Sequence, residues 1–77
     1  MTDTKFLANL GGRIKELRQK QEITQNELAV RCEFEKASMS RIESGKTNIT
    51  VLTLNKISKA LDVDMTEFFN KDRKSDL

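Results

Sequence analysis

A chain of 77 residues is one small domain, close to the size at which a single core must hold the fold without a second module. One cysteine and no histidine exclude an internal disulfide and leave no zinc-type ligand set, so no cofactor or metal is expected. A formal charge of +2 is too mild to point to nucleic acid by itself. With no proline and three glycines, the composition favours an all-α domain. The opening MTDTKFLANL has no apolar run of the kind a signal peptide or membrane span requires, which gives the expectation of a cytoplasmic protein with no membrane partner.

Residues 1–5 are polar and are expected to be disordered. From about Phe6 the apolar residues Phe6, Leu10, Ile14 and Leu17 recur at helical spacing and predict an amphipathic helix running to about Gln21. Gly11 and Gly12 fall inside it, each at about 1 kcal/mol relative to alanine, so the helix is weakened there or starts nearer Leu10. Two readings fit these glycines: close approach of another helix, or close approach of a phosphate.

Thr24 followed by Glu27 is a capping box, which starts a second helix at Gln25. Leu28, Ala29 and Cys32 then form a narrow apolar stripe. Cys32 reads as a small core residue; a redox role has neither a cationic cluster nor a partner cysteine behind it. After a short break around Phe34, Met39 and Ile42 face inward while Lys36, Ser40 and Arg41 face out, and Gly45 supplies a helix stop. The apolar residue before each cap pairs with one five positions on: Ile23 with Leu28, Phe34 with Met39, Ile49 with Leu54, Val63 with Phe68. These staples place helix starts near 25, 36, 51 and 65, and Asp64 with Glu67 looks like a further capping box. The fourth helix, 51–61, turns Leu54, Ile57 and Leu61 inward and Asn55, Lys56 and Lys59 outward. The fifth ends near 69, and residues 70–77 read as a polar tail.

Two short helices across 24–46, joined by a tight turn, make a helix-turn-helix, whose second helix can enter a DNA major groove. TQNELA, SRIESGK and TLNKISKALDV occur in the order and spacing of the lambda-repressor-like, Xre-type helix-turn-helix domains, and the chain resembles that family over roughly residues 10–69. The resemblance implies a compact five-helix bundle over residues 6–69 and a small stand-alone member similar to restriction-modification controllers. Two positions depart from the family pattern. Glu33 stands where glycine is usual and Glu35 where the cap is Ser or Thr. If position 33 needs a positive φ, glutamate there carries a steric cost of about 1 kcal/mol.

Outward positions on the third helix recur at 36, 37, 40, 41 and 44. Lys36 and Arg41 can reach guanine O6 and N7, Ala37 can meet a thymine methyl, and Ser40 lies between them. The resemblance implies that Lys36, Ala37 and Arg41 read bases; taken alone, the two cations would be an ordinary solvated face. Gln25, Ser38, Ser44, Lys46, Thr47 and Asn48 are the candidate phosphate contacts, with a bland surface loop as the alternative for 44–48. The family likeness assigns Arg18 and Glu43 to an internal salt bridge. Val51, Leu52, Met65 and Phe69 are either a dimer surface or the completion of the core.

One such domain reads few base pairs, so the leading expectation is a sequence-specific regulator of transcription that binds duplex DNA as a homodimer on an inverted repeat. The alternative is a protein-interaction module, such as an antitoxin with a toxin partner. An acidic flank at Glu33 and Glu35 would suit contact with RNA polymerase. An enzyme is not expected: no histidine or tyrosine is present, and the carboxylates fall on caps or solvated faces.

Overall fold

The computed structural model describes residues 3–69, and these are helical with no strand. Helix α1 spans Asp3–Lys20, α2 Gln25–Cys32, α3 Lys36–Ser44 and α4 Val51–Leu61; a 3-10 turn, Met65–Phe69, follows. The fold is therefore four α-helices and a 3-10 turn where five helices were expected. Residues 1, 2 and the expected polar tail 70–77 lie outside the described residues.

The helix starts after α1 lie where their caps and staples put them. Thr24 Oγ1 accepts from the Glu27 N–H at 3.0 Å while Glu27 Oε1 accepts from the Thr24 N–H at 2.8 Å. Thr50 Oγ1 caps α4 through the Thr53 N–H at 3.1 Å. Glu35 makes no side-chain cap bond, so α3 begins without that help. The expected Asp64–Glu67 capping pair does not form. Asp64 Oδ1 accepts from the N–H and hydroxyl of Thr66, both at 2.9 Å. Glu67 turns to α1, where its carbonyl takes Arg13 Nε at 2.7 Å and its Oε1 takes Arg13 Nη2 at 3.2 Å.

Each α-helix ends in the same way. Glu22, Glu33, Gly45 and Asp62 have φ of 59°, 62°, 76° and 57°, and the next residue's N–H reaches back five positions: Ile23 to Arg18, Phe34 to Ala29, Lys46 to Arg41, Val63 to Ser58. This is the Schellman arrangement, which supplies donors to carbonyls the helix leaves open. Three of those reaching residues, Ile23, Phe34 and Val63, are also the apolar staples of the helix that follows. One side chain thus closes one helix and sets the next.

The core comprises Leu10, Ile14, Leu17, Ile23, Leu28, Ala29, Cys32, Met39, Ile42, Leu54, Ile57, Leu61 and Phe68. α1 packs along α3, α2 packs against α3 and α4, and the 3-10 turn closes against α1 and α4. Three details of α1 differ from the sequence reading. It starts at Asp3, ahead of Phe6, and runs unbroken through both glycines. Phe6, expected inside, is 55% exposed. Gly11 is a packing glycine: a Cβ there would sit on the Ile42 carbonyl and 2.6 Å from the Glu43 carbonyl oxygen. Gly12 faces open space. Gly45, in turn, lies 2.5 Å, measured from the position a Cβ would take, from the Cα of Ala8. α1 therefore clasps α3 at two backbone-to-backbone contacts that only glycine permits.

Candidate nucleic-acid interface

α3 has two dissimilar sides. Met39, Ile42 and Glu43 are buried, while Lys36, Ala37, Ser40, Arg41 and Ser44 are exposed along one edge and Ser38 is half-buried beside them. Among the described residues neither Lys36 nor Arg41 belongs to an ion pair, and both side chains are exposed to solvent. The alanine and serines between them keep the ridge low enough for a flat surface to approach the backbone.

The inner side is held by a polar anchor. Arg18 Nε donates to Glu43 Oε2 at 2.7 Å and Nη2 to Oε1 at 3.0 Å, a two-pronged pair, and Nη1 donates to the Ile23 carbonyl at 2.8 Å. The side chains are 9% and 3% exposed. Gln25 Nε2 adds a third donor to Glu43, at 3.1 Å. Its amide nitrogen is thus turned to the protein, although Gln25 was expected as a phosphate contact. The capping box satisfies Thr24 and Glu27, which leaves the N–H groups of Gln25 and Asn26 without an acceptor among the described residues at the start of α2. Hydrogen bonds from the Thr24 backbone and hydroxyl hold the Glu27 carboxyl below its ordinary range, with Arg31 a smaller contributor.

A cleft runs along each flank of α3. On the loop side, Phe34, Ser38, Arg41, Ile42, Thr47, Asn48 and Thr53 enclose about 240 Å³. On the α1 and α2 side, Lys15, Gln25, Ser40, Glu43 and Ser44 enclose about 180 Å³. The structure thus gathers Ser38, Arg41, Thr47 and Asn48 on one flank and Gln25, Ser40 and Ser44 on the other. Lys46 lies further round, with Thr47, Asn48 and the start of α1. Ser44 donates its hydroxyl to the Ser40 and Arg41 carbonyls at 2.9 and 3.2 Å, so its proton is engaged by the helix. Lys15 is a cleft residue that sequence reasoning passed over. Its signal was the stripe Gly11, Lys15, Arg18, whose outer members both touch Glu43.

Among the apolar candidates, Val51 and Leu52 are 73% and 78% exposed and Phe69 is 53% exposed, whereas Met65 is half-buried against the core. Burial pushes the Cys32 thiol up, against a weaker pull from Lys56. The thiol sits in the core facing the Lys56 carbonyl at 3.9 Å. Among the described residues no group of three or more acidic, cysteine or histidine side chains could hold a metal, and no helix is long and apolar enough to cross a membrane.

The helix-turn-helix family HTH_3 matches residues 14–68. The chain is 32% identical over 71 residues to the control protein C.MunI from Mycoplasma sp., spanning 91% of this chain and 93% of that protein. Its fold is similar to the crystal structure of the restriction-modification controller protein C.AhdI from Aeromonas hydrophila, with a TM-score of 0.82, 28% identity, and coverage of 84% and 98%. The wild-type restriction-modification controller C.Esp1396I gives a TM-score of 0.78 at 31% identity, covering 88% of each chain. With four caps, a buried anchor and an outward cationic helix arranged as described, the chain belongs to the HTH_3, Xre-like helix-turn-helix family of DNA-binding transcription regulators, which are not enzymes.

Proposed function

We propose that the chain binds duplex DNA sequence-specifically as a homodimer on an inverted repeat, with α3 in the major groove, and that it serves as the controller of a restriction-modification system. The observation that carries this reading is the contrast between the two sides of α3. Its inner side is fixed to α1 by a buried ion pair, and its outer edge offers unpaired Lys36 and Arg41 between two polar clefts. A rigid helix with open cations and small residues suits base-edge contact, and clefts on both flanks suit the two phosphate walls of a groove about 12 Å wide. In this arrangement Lys36, Ala37, Ser40 and Arg41 read bases. Gln25, through its backbone N–H, and Ser38, Lys46, Thr47 and Asn48 hold phosphates; Ser44 joins them only if its hydroxyl rotates away from the helix. The resemblance to C.MunI and C.AhdI supports the controller role.

A second copy of the chain is the partner that Val51, Leu52 and Phe69 fit best, since twofold pairing there doubles the number of bases read. The same exposed apolar set also suits a different protein, which is the runner-up reading.

Selection of binding sites from random duplex DNA, run on the wild type and on Lys36→Ala with Arg41→Ala, tests the proposal. A palindromic motif enriched by the wild type and lost in the double variant supports it. Absence of enrichment at moderate salt transfers the reading to a protein partner.

A further inference from the structure

We propose that Lys15, on α1, is a DNA phosphate contact, and that the cleft it shares with Gln25, Ser40 and Ser44 seats one backbone phosphate of the strand on the α2 side of the groove. This rests on the reading of α3 as the helix that enters DNA.

Lys15 is exposed and forms no ion pair or hydrogen bond among the described residues. The other basic residues of the α1 inner half are engaged: Arg13 holds Glu16 and Glu67, and Arg18 holds Glu43. Of the residues that line this cleft, Lys15 is the one cation, and among the described residues its charge has no carboxylate partner. The cleft does contain one carboxylate, Glu43, which would repel an anion if it were bare. It is not bare: Arg18 binds both of its oxygens and Gln25 Nε2 adds a further donor. The pair is neutral as a unit, and the charge at the cleft mouth is that of Lys15.

Position selects a duplex phosphate over a free anion. Ser40 and Ser44 are wall residues of this cleft and also part of the exposed edge of α3. Whatever lies against that edge brings its own border to Lys15. For a helix in a major groove, the border is the sugar-phosphate backbone. Gln25, which lines the cleft, has a backbone N–H with no acceptor among the described residues and can serve as a donor without net charge, and Lys15 supplies the charge it lacks.

The test is a salt titration of duplex binding by the full chain, on a mixed-sequence duplex and on the selected site. Each phosphate neutralised adds about 0.9 to the slope of log K against log salt. Lys15→Gln is expected to lower that slope by about 0.9 per bound protomer and to weaken both duplexes alike, by roughly eightfold per protomer near 0.1 M salt. Lys15→Arg should restore the wild-type slope, and Lys59→Gln, on the outer face of α4, should leave it unchanged. An unaltered slope in Lys15→Gln, with the wild type still binding, overturns the proposal alone. A loss confined to the selected site overturns it too, since that would mark a base contact. If the wild type binds neither duplex at low salt, both this inference and the DNA reading of α3 fall together.

Discussion

The carboxylate of Glu43, on the outward-working helix α3, points inward and is gripped at both oxygens by Arg18 of α1, at 2.7 and 3.0 Å. Both side chains are nearly sealed from water, at 3% and 9% exposure. Such a pair is a modest contributor when intact, yet removing one partner strands a buried charge. Glu43→Ala is expected to lower the unfolding free energy by about 3–5 kcal/mol in urea melts. That is a large part of the ~5–15 kcal/mol a domain of this kind commands. Arg18→Met with Glu43→Leu should recover only part of the loss, because the Ile23 carbonyl also loses its donor. Equal stability of Glu43→Ala and wild type would refute the anchor.

Adjacent glycines make opposite predictions. A methyl at Gly11 collides with the Ile42 and Glu43 carbonyls, whereas a methyl at Gly12 meets nothing within 4 Å. Gly11→Ala should therefore destabilise by about 1–3 kcal/mol, through overpacking against backbone that cannot retreat. Gly12→Ala should stabilise by up to about 1 kcal/mol, from the gain in helix propensity. Thermal melts of the two variants must move in opposite directions; a shared direction would show that α1 does not meet α3 as described.

What was legible in the sequence divides along a physical line. Helix starts after the first were readable because a cap and its staple are local: Thr24, Glu27, Ile23 and Leu28 lie within six residues. Glu33 at the turn was readable as a departure from a familiar pattern. The stops at Glu22 and Asp62 were not, since neither residue type announces a positive φ; the conformation is imposed by burying Ile23 and Val63 just beyond. Tertiary partners also overrode local patterns. Arg13 draws Glu67 away from the cap expected with Asp64, and Glu43 draws in the amide of Gln25. Phe6 kept the period of its helix but lacks a neighbour to cover it. The outer edge of α3 was legible residue by residue, while Lys15 was hidden in a charge-rich helix until Gly11 and Arg18 showed which side meets α3.

Glu33 and Asp62 both hold left-handed backbone, at φ 62° and 57°. A non-glycine residue loses about 1–2 kcal/mol there, and aspartate loses less than glutamate because its short side chain bonds locally. Glu33→Gly should stabilise by about 1 kcal/mol, raising the urea midpoint with an unchanged m value. Asp62→Gly should gain less. A larger gain at Asp62 than at Glu33 would contradict this ranking of strain.

The capping box at α2 predicts a pH signature. Bonds from Thr24 hold the Glu27 carboxyl below its ordinary range, so its folded pKa lies below its unfolded one. Its contribution to stability is then present above the unfolded value, about 4.3, and is lost as pH falls through the depressed folded value. Glu27→Gln should be less stable than wild type at neutral pH, with the gap closing as the pH drops below about 4. Melts across that range would reject the assignment if the gap were constant.

Val51, Leu52 and Phe69 are large apolar side chains that the domain leaves exposed, at 73%, 78% and 53%. If they form the twofold surface, charging them should separate the copies while sparing the fold, since exposed positions tolerate substitution to within about 0.5 kcal/mol. Leu52→Lys with Phe69→Lys is expected to sediment as a monomer at concentrations where the wild type is a dimer, with the helical circular dichroism unchanged. Its duplex binding should weaken, because each copy must then bind a half-site without the other's contacts. A variant that remains dimeric would move the interface elsewhere on the domain. A monomeric wild type would leave the apolar patch to a different protein, and the selected site would then carry a single half-site in place of a palindrome.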